Sequence, residues 1–153
     1  MEEVNLYVIE NVKGPRRQAG AGMYLLEAKT PKGTVTRNKT LSLEDTTENQ
    51  LTLTVMEEAL GRINRPVKLT IWMDCEYVAA ALKQEWPKKW EKAGWVNAKG
   101  KPVADAEKWA SVLGRIRDHE IFVVVNERHE YWNWMTRELA KVALVQQEGW
   151  KNV

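Results

Sequence analysis

The most distinctive stretch of this chain reads Gln84-Glu85-Trp86-Pro87-Lys88-Lys89-Trp90-Glu91-Lys92-Ala93-Gly94-Trp95. Trp86 and Trp90 are four residues apart, so in a helix their indoles lie on one face while the lysines between them point elsewhere. The wider window 83–117 holds nine Lys or Arg against four acids, and four of the eight tryptophans. Basic side chains interleaved with aromatic rings suit a phosphate backbone. Composition alone favours a plainer interpretation, in which the rings form a small satellite core with solvated lysines around it.

The residues outside this stretch predict three strands followed by alternating helices and strands. Thr47 and Gln50 form a capping-box pattern, and apolar residues follow at helical spacing as far as Ile63. The strand at 120–125 is apolar on both faces, which indicates helices covering a mixed sheet. The predicted strands are 4–9, 20–29, 33–43, 67–73 and 120–125. The predicted helices are 51–63, 76–86, 104–117 and 131–147. We expect residues 87–103 to be irregular, and we call residues 83–103 the arm.

Length and composition indicate one globular α/β domain over residues 1–153. The chain is 44% apolar and 29% charged, which is ordinary for a folded protein of this size. Cys75 is the only cysteine, so an intrachain disulfide and a Cys-based zinc site are both excluded. No leader and no run of membrane-spanning length are apparent, so we predict a cytoplasmic protein with no membrane partner. A net charge of +2 is too small to identify a partner by itself.

The stretch 84–95, together with Lys101-Pro102-Val103 and Trp109, resembles the basic protrusion of bacterial type 1 ribonuclease H. Three further segments are similar to that family: Thr46-Thr47-Glu48-Asn49-Gln50, Met73-Asp74-Cys75-Glu76-Tyr77-Val78 and Glu138-Leu139-Ala140. The resemblance covers about residues 4–143. It implies a ribonuclease H-like fold, with a five-stranded mixed sheet of three antiparallel and then two parallel strands. Helices would flank this sheet, and the basic, Trp-rich arm would extend from it.

The resemblance also implies metal-dependent hydrolysis, for which this chain lacks most of the expected carboxylates. In the family, four carboxylates hold two divalent cations that hydrolyse the RNA strand of RNA/DNA hybrids. The four positions fall on Ile9, Thr52, Asp74 and Arg137, so Asp74 is the one family acid that remains and the one candidate catalytic residue. A guanidinium at position 137 would add positive charge where a metal ligand belongs. We therefore expect no metal cofactor, with Mg²⁺ or Mn²⁺ required only if the chain is active.

Displaced acids could in principle rebuild a metal site. Glu10 follows Ile9, but neighbouring strand residues face opposite sides of a sheet, so Glu10 cannot replace a ligand at position 9 without a bulge. We interpret the other three as helix-start or surface acids; they are Glu48, Glu76 and Glu138. Asp74 itself is expected to cap the helix that begins at Cys75.

Two loops of the family also differ here. The Gly-rich segment after the first strand is represented by the altered segment 14–20. The resemblance implies His129 as the counterpart of the family's loop histidine, in a segment 125–131 that is one residue shorter than the family's.

Three functions remain open. We favour a ribonuclease H-like domain that binds RNA/DNA hybrid or duplex without efficient hydrolysis. The alternatives are a divergent active ribonuclease H and a domain that binds a protein partner. The predicted nucleic-acid-binding residues all lie in the arm: Lys88, Lys89, Lys92, Lys99, Lys101, Trp86, Trp90 and Trp95.

Overall fold

A five-stranded mixed sheet forms the centre of the molecule. The structure is a computed structural model that describes residues 1–151, with side chains described for residues 1–142. The strand order is β3-β2-β1-β4-β5, with the first three strands antiparallel and the last two added in parallel. This arrangement confirms the predicted fold class. The strands are β1 (Glu3–Glu10), β2 (Gln18–Thr30), β3 (Gly33–Thr46), β4 (Lys68–Met73) and β5 (Glu120–Val125).

Helices cover both faces of the sheet. The larger core lies on the face where Val8 of β1 points, and it includes side chains from α1, α2 and α4. The smaller core lies on the opposite face, where Tyr7 and Ile9 of β1 meet Met135 of α5. The helices are α1 (Glu48–Leu60), α2 (Glu76–Lys83), α3 (Trp86–Lys92), α4 (Ala106–Ile116) and α5 (Trp132–Lys151). None of the helices in the described part of the chain is long and apolar enough to span a membrane.

Helix α1 has the N-cap that the sequence predicts, Thr47, but it spans Glu48–Leu60 and not 51–63. The Thr47 hydroxyl accepts a hydrogen bond from the Gln50 amide at 3.2 Å, which satisfies one of the unpaired amides of the first turn. The Gln50 side chain does not reach back to complete a capping box. Its Oε1 instead accepts a hydrogen bond from Arg17 Nη2 at 3.3 Å. Leu51 and Val55, predicted to face the core, are fully buried.

The region around α2 and α3 differs from the sequence prediction. Helix α2 ends at Lys83, three residues earlier than predicted, and Glu85 then adopts a left-handed conformation with φ of 57°. A second helix, α3, begins immediately at Trp86, so the expectation that residues 87–103 are irregular is wrong for 87–92. Pro87 lies in the first turn of α3, where the missing amide costs nothing. The proline therefore starts a helix here and does not merely end one.

The expected capping role of Asp74 is also wrong. The residue at the N-cap of α2 is Cys75, and no side chain makes a capping hydrogen bond there. Asp74 lies one position further out, at the carboxyl end of the parallel strand β4. Its carboxylate is consequently free to face the cleft at this end of the sheet.

Candidate nucleic-acid interface and the adjoining cleft

The arm is held by a continuous row of aromatic rings. Tyr77 of α2 contacts Trp86, with ring centroids 5.8 Å apart, and Trp86 contacts Trp90 at 6.2 Å. Trp90 then meets the edge of Trp109 of α4 at 5.5 Å. Trp109 is 1% exposed and belongs to the larger core, against which Trp90 and Trp95 are also packed. The rings therefore join the arm to the main body of the domain and do not form a separate satellite core.

The outer half of the arm is a compact backbone loop. Trp95 has a φ of 64°, and its amide donates to the Trp90 carbonyl at 2.7 Å, which turns the chain sharply after α3. The Asn97 side-chain oxygen accepts from the amides of Lys99 and Lys101 at 2.9 and 3.0 Å. The Val103 amide then returns to the Trp95 carbonyl at 3.0 Å. Because these bonds satisfy the backbone locally, the loop needs no regular helix or strand to be well defined.

The lysines predicted to contact nucleic acid are all exposed to solvent. Lys88 forms a salt bridge with Glu85, with Nζ and Oε1 2.8 Å apart. Within the part of the chain that has described side chains, no carboxylate lies within salt-bridge distance of the other four, Lys89, Lys92, Lys99 and Lys101. The arm thus presents several unneutralised ammonium groups on a rigid frame.

A cleft of about 410 Å³ opens where the carboxyl end of β4 meets the N-terminus of α1. It is lined by Lys13, Glu48, Asp74, Glu76, Asn126, Glu127, Arg128 and Trp132. Arg128 lies over the Trp132 ring, with its guanidinium carbon 5.0 Å from the ring centroid. The lining therefore combines four carboxylates with two cationic groups.

Lys13 links two of the acids at this end of the sheet. Its Nζ lies 3.0 Å from Glu10 Oε1 and 3.7 Å from Glu48 Oε2. The other oxygen of Glu48, Oε1, accepts a hydrogen bond from the Gly14 amide at 2.9 Å. In return, the Glu48 amide donates to the Gly14 carbonyl at 3.2 Å. The loop after β1 is consequently fastened to the start of α1 through Glu48, and both carboxylate oxygens of Glu48 already have partners.

The electrostatics of this group follow from burial and from the mutual charges. Burial raises the pKa of the Glu10 carboxyl above its ordinary value, although Lys13 acts in the opposite direction. Burial likewise raises the pKa of Asp74, against the lowering effect of Lys13 and Arg128. For Lys13, the charges of Glu10, Glu48 and Asp74 outweigh the effect of burial and raise its pKa. Lys13 thus remains protonated among these acids.

The three positions at which the resemblance implies a replaced metal ligand lie in different surroundings. Ile9 is 4% exposed and packs in the smaller core, on the opposite face of the sheet from Glu10, as the strand alternation predicts. A side chain at position 9 therefore points away from Thr52, and Glu10 is the residue of this strand that lies beside Thr52. Thr52 is completely buried on α1, and its hydroxyl has no hydrogen-bond partner among the described residues. Arg137 is exposed on α5 and is not among the residues that line the cleft. The positive charge in the cleft therefore comes from Lys13 and Arg128, a contribution that the sequence interpretation missed.

The residues at this site do not fit a pair of metal ions. Asp74 is the one carboxylate lining the cleft that the resemblance assigns to metal binding, and Lys13 lies between Glu10 and Glu48. Across the described residues, no group of three or more His, Cys, Asp or Glu side chains is placed to hold a metal ion. Metal sites tolerate only small displacements of their ligands, so the neighbouring acids do not make up the difference.

The remaining candidate residues have other partners. Glu76 accepts a hydrogen bond from Asn126 Nδ2 at 2.9 Å, and Glu138 pairs with Lys141 at 3.0 Å. His129 does not line the cleft. Its ring stacks on Tyr7, with centroids 4.2 Å apart, and its Nδ1 accepts from the Tyr131 amide at 3.2 Å. These contacts give His129 a structural setting next to the smaller core.

A family model described as RNase H matches residues 2–144. The chain belongs to the RNase H family. Among curated relatives of this RNase H chain, the Ribonuclease H of Hyphomonas neptunium is 40% identical over 76 residues, which is 50% of each protein. The Ribonuclease H of Symbiobacterium thermophilum is 32% identical over 76 residues, or 50% of this chain and 52% of the relative. The chain thus spans about half the length of the curated relatives it matches.

Solved structures share the fold of this RNase H chain at low sequence identity. LC9-RNase H1, described as a type 1 RNase H with the type 2 active-site motif, has a TM-score of 0.73 at 21% identity. The superposition covers 95% of this chain and 74% of that one. The foamy viral protease-reverse transcriptase in complex with RNA/DNA hybrid gives a TM-score of 0.62 at 19% identity, over 88% of this chain and 19% of that one. At these identities the likeness establishes the fold.

Proposed function

We propose that this RNase H domain binds RNA/DNA hybrid or duplex through the arm and does not hydrolyse it efficiently. The observation that carries the proposal is the set of exposed lysines on a frame fixed by Trp86, Trp90 and Trp109. Ammonium groups that are not neutralised by the protein release condensed counterions when they meet phosphates, and this release drives nucleic-acid binding. The complex of the foamy viral reverse transcriptase with RNA/DNA hybrid supports a double-helical ligand for this fold.

The second half of the proposal concerns the chemistry. Two divalent cations in one pocket need several carboxylates to neutralise them, and here Ile9, Thr52 and Arg137 stand at three of the four family positions. Glu48 is committed to the Gly14 amide and to Lys13. We therefore propose that no metal cofactor takes part and that Asp74 contributes to the shape and charge of the cleft without acting in catalysis.

A divergent active enzyme is the second candidate, and one observation favours it. Glu48, Asp74 and Glu76 all line one cleft, together with Lys13 and Arg128. LC9-RNase H1 shows that the active-site motif of a type 1 RNase H can differ from the usual one. In this candidate, Asp74 would remain essential to a rearranged site.

One experiment separates these candidates. A labelled RNA/DNA hybrid is incubated with the protein in Mg²⁺ and in Mn²⁺, and cleavage is followed beside a gel shift on the same substrate. We expect a shifted complex at low salt and no cleavage product. Metal-dependent cleavage that is lost in Asp74→Asn would establish the active enzyme. Absence of any complex at low salt would instead favour a protein partner for the arm.

A further inference from the structure

The Lys13 ammonium bridges carboxylates that come from two separate elements. Glu10 is the last residue of β1, and Glu48 is the first residue of α1. The Lys13 side chain is 59% exposed, whereas the Glu10 side chain is 0% exposed and the Glu48 side chain 18%. Lys13 therefore reaches inward from a loop at the surface to a carboxylate that solvent cannot reach.

The Glu10 carboxylate depends on this single cation. Among the described residues, Lys13 is the one basic group within salt-bridge distance of Glu10. Glu10 Oε2 makes no hydrogen bond of full geometry there, although the Thr52 hydroxyl lies beside the carboxyl and acts to lower its pKa. A buried carboxylate without a counter-charge is costly, and removing one member of a buried pair leaves that cost uncompensated. Loss of Lys13 thus leaves the Glu10 carboxyl to be neutralised by a proton or by another cation.

We propose that the Lys13 ammonium is the resident cation of this cleft, and that it keeps divalent metal ions away from the Glu10 and Glu48 carboxylates. Two observations support this: the ammonium lies 3.0 and 3.7 Å from the two acids, and among the described residues it is the one cation paired with the buried Glu10. Carboxylate oxygens are the ligands that Mg²⁺ and Mn²⁺ prefer. In a variant without the ammonium, a single divalent cation, and not the pair that the family uses, would have the Glu10 and Glu48 carboxylates as ligands. The inference concerns the free protein and does not depend on nucleic-acid binding.

The test compares thermal unfolding of the wild type with Lys13→Met, which keeps the aliphatic stem and removes the charge. Lys32→Met serves as the matched control, because Lys32 is an exposed lysine in the turn after β2. Each protein is melted with MnCl2, with MgCl2 and with NaCl at equal ionic strength. We expect Lys13→Met to melt roughly 5 to 10 °C below the wild type in NaCl, from the cost of an uncompensated buried charge. Mn²⁺ should recover much of that loss, and the wild type and Lys32→Met should not respond to it.

A second variant tests whether Glu10 is the carboxylate that needs a counter-charge. Adding Glu10→Gln to Lys13→Met removes the buried charge, so the double variant should melt above Lys13→Met in NaCl and should not respond to Mn²⁺. If Lys13→Met alone fails to fold, the double variant still tests the proposal, because without the buried charge it should fold.

Four results would overturn the proposal. They are Mn²⁺ stabilisation of the wild type at matched ionic strength, no stability loss in Lys13→Met, a loss that Mn²⁺ does not recover, and a double variant no more stable than Lys13→Met.

Discussion

Removing positive charge from the arm should change the salt dependence of binding by a calculable amount. Lys89, Lys92 and Lys101 are exposed, and no described carboxylate lies within salt-bridge distance of any of them. Each lysine that contacts a phosphate contributes about −0.9 to the slope of log affinity against log salt on a DNA duplex. Changing all three to Ala should therefore flatten the slope by about two to three units. Between 50 and 200 mM salt, a difference of 2.7 units corresponds to about 40-fold in affinity.

The measurement is fluorescence anisotropy of labelled hybrid, duplex DNA and duplex RNA over a series of NaCl concentrations. Phosphate contacts carry no sequence information, so the loss should be similar for unrelated sequences. A matched control changes three exposed lysines outside the arm to Ala and removes the same net charge: Lys29, Lys32 and Lys68. Melting temperatures should stay within a few degrees, because such surface changes are usually worth less than about 0.5 kcal/mol. Parallel slopes for the wild type and the arm variant, or equal flattening in the control, would refute the assignment of the arm.

Three further outcomes follow from the described contacts. Trp90→Ala should weaken binding by loosening the arm, yet leave the salt slope nearly unchanged; a slope as flat as that of the lysine variant would contradict this role. Ile9→Asp should lower the free energy of unfolding by about 3 kcal/mol or more in chemical denaturation, because it places an unpaired carboxylate in the smaller core; a wild-type midpoint would show that the strand can rearrange. Burial lowers the pKa of both His119 and His129, so the unfolded chain takes up protons first and stability should fall as pH drops through about 6.5. Denaturant melts across this range should show a smaller decline in His129→Phe, and an unchanged profile in that variant would remove His129 as a cause.

The sequence predicts the order and type of most elements because those features are local. Thr47 before an apolar series at helical spacing marks α1, and the turn at 31–33 marks the hairpin of β2 and β3. The sequence does not predict helix α3, because a proline is compatible both with the end of one helix and with the first turn of the next, and Pro87 fits either role. The left-handed conformation of Glu85, which separates the two helices, leaves no trace in residue type. Boundaries set by such single backbone conformations are beyond pattern reasoning.

The sequence likewise predicts some features of the candidate site and not others. The exposure of the arm lysines and the burial of Trp109 follow from composition and spacing. The role of Lys13 does not, because its contact with Glu48 joins residues far apart in the chain through an irregular loop. The three-residue spacing from Glu10 was the one available signal, and in a loop that spacing has no fixed geometric meaning. Three statements stay predictions: that Asp74 is the retained family acid, that the arm lysines contact nucleic acid, and that the protein is cytoplasmic.

The packing of the arm's indoles against the main body limits which substitutions this domain can accept. Trp90 and Trp109 pack between the arm and the main body, so altering either one disturbs the packing that positions the arm. The lysines of the arm are exposed on the same frame. Single substitutions at the surface of the arm can therefore raise or lower the affinity for a polyanion without altering the packing that presents those charges.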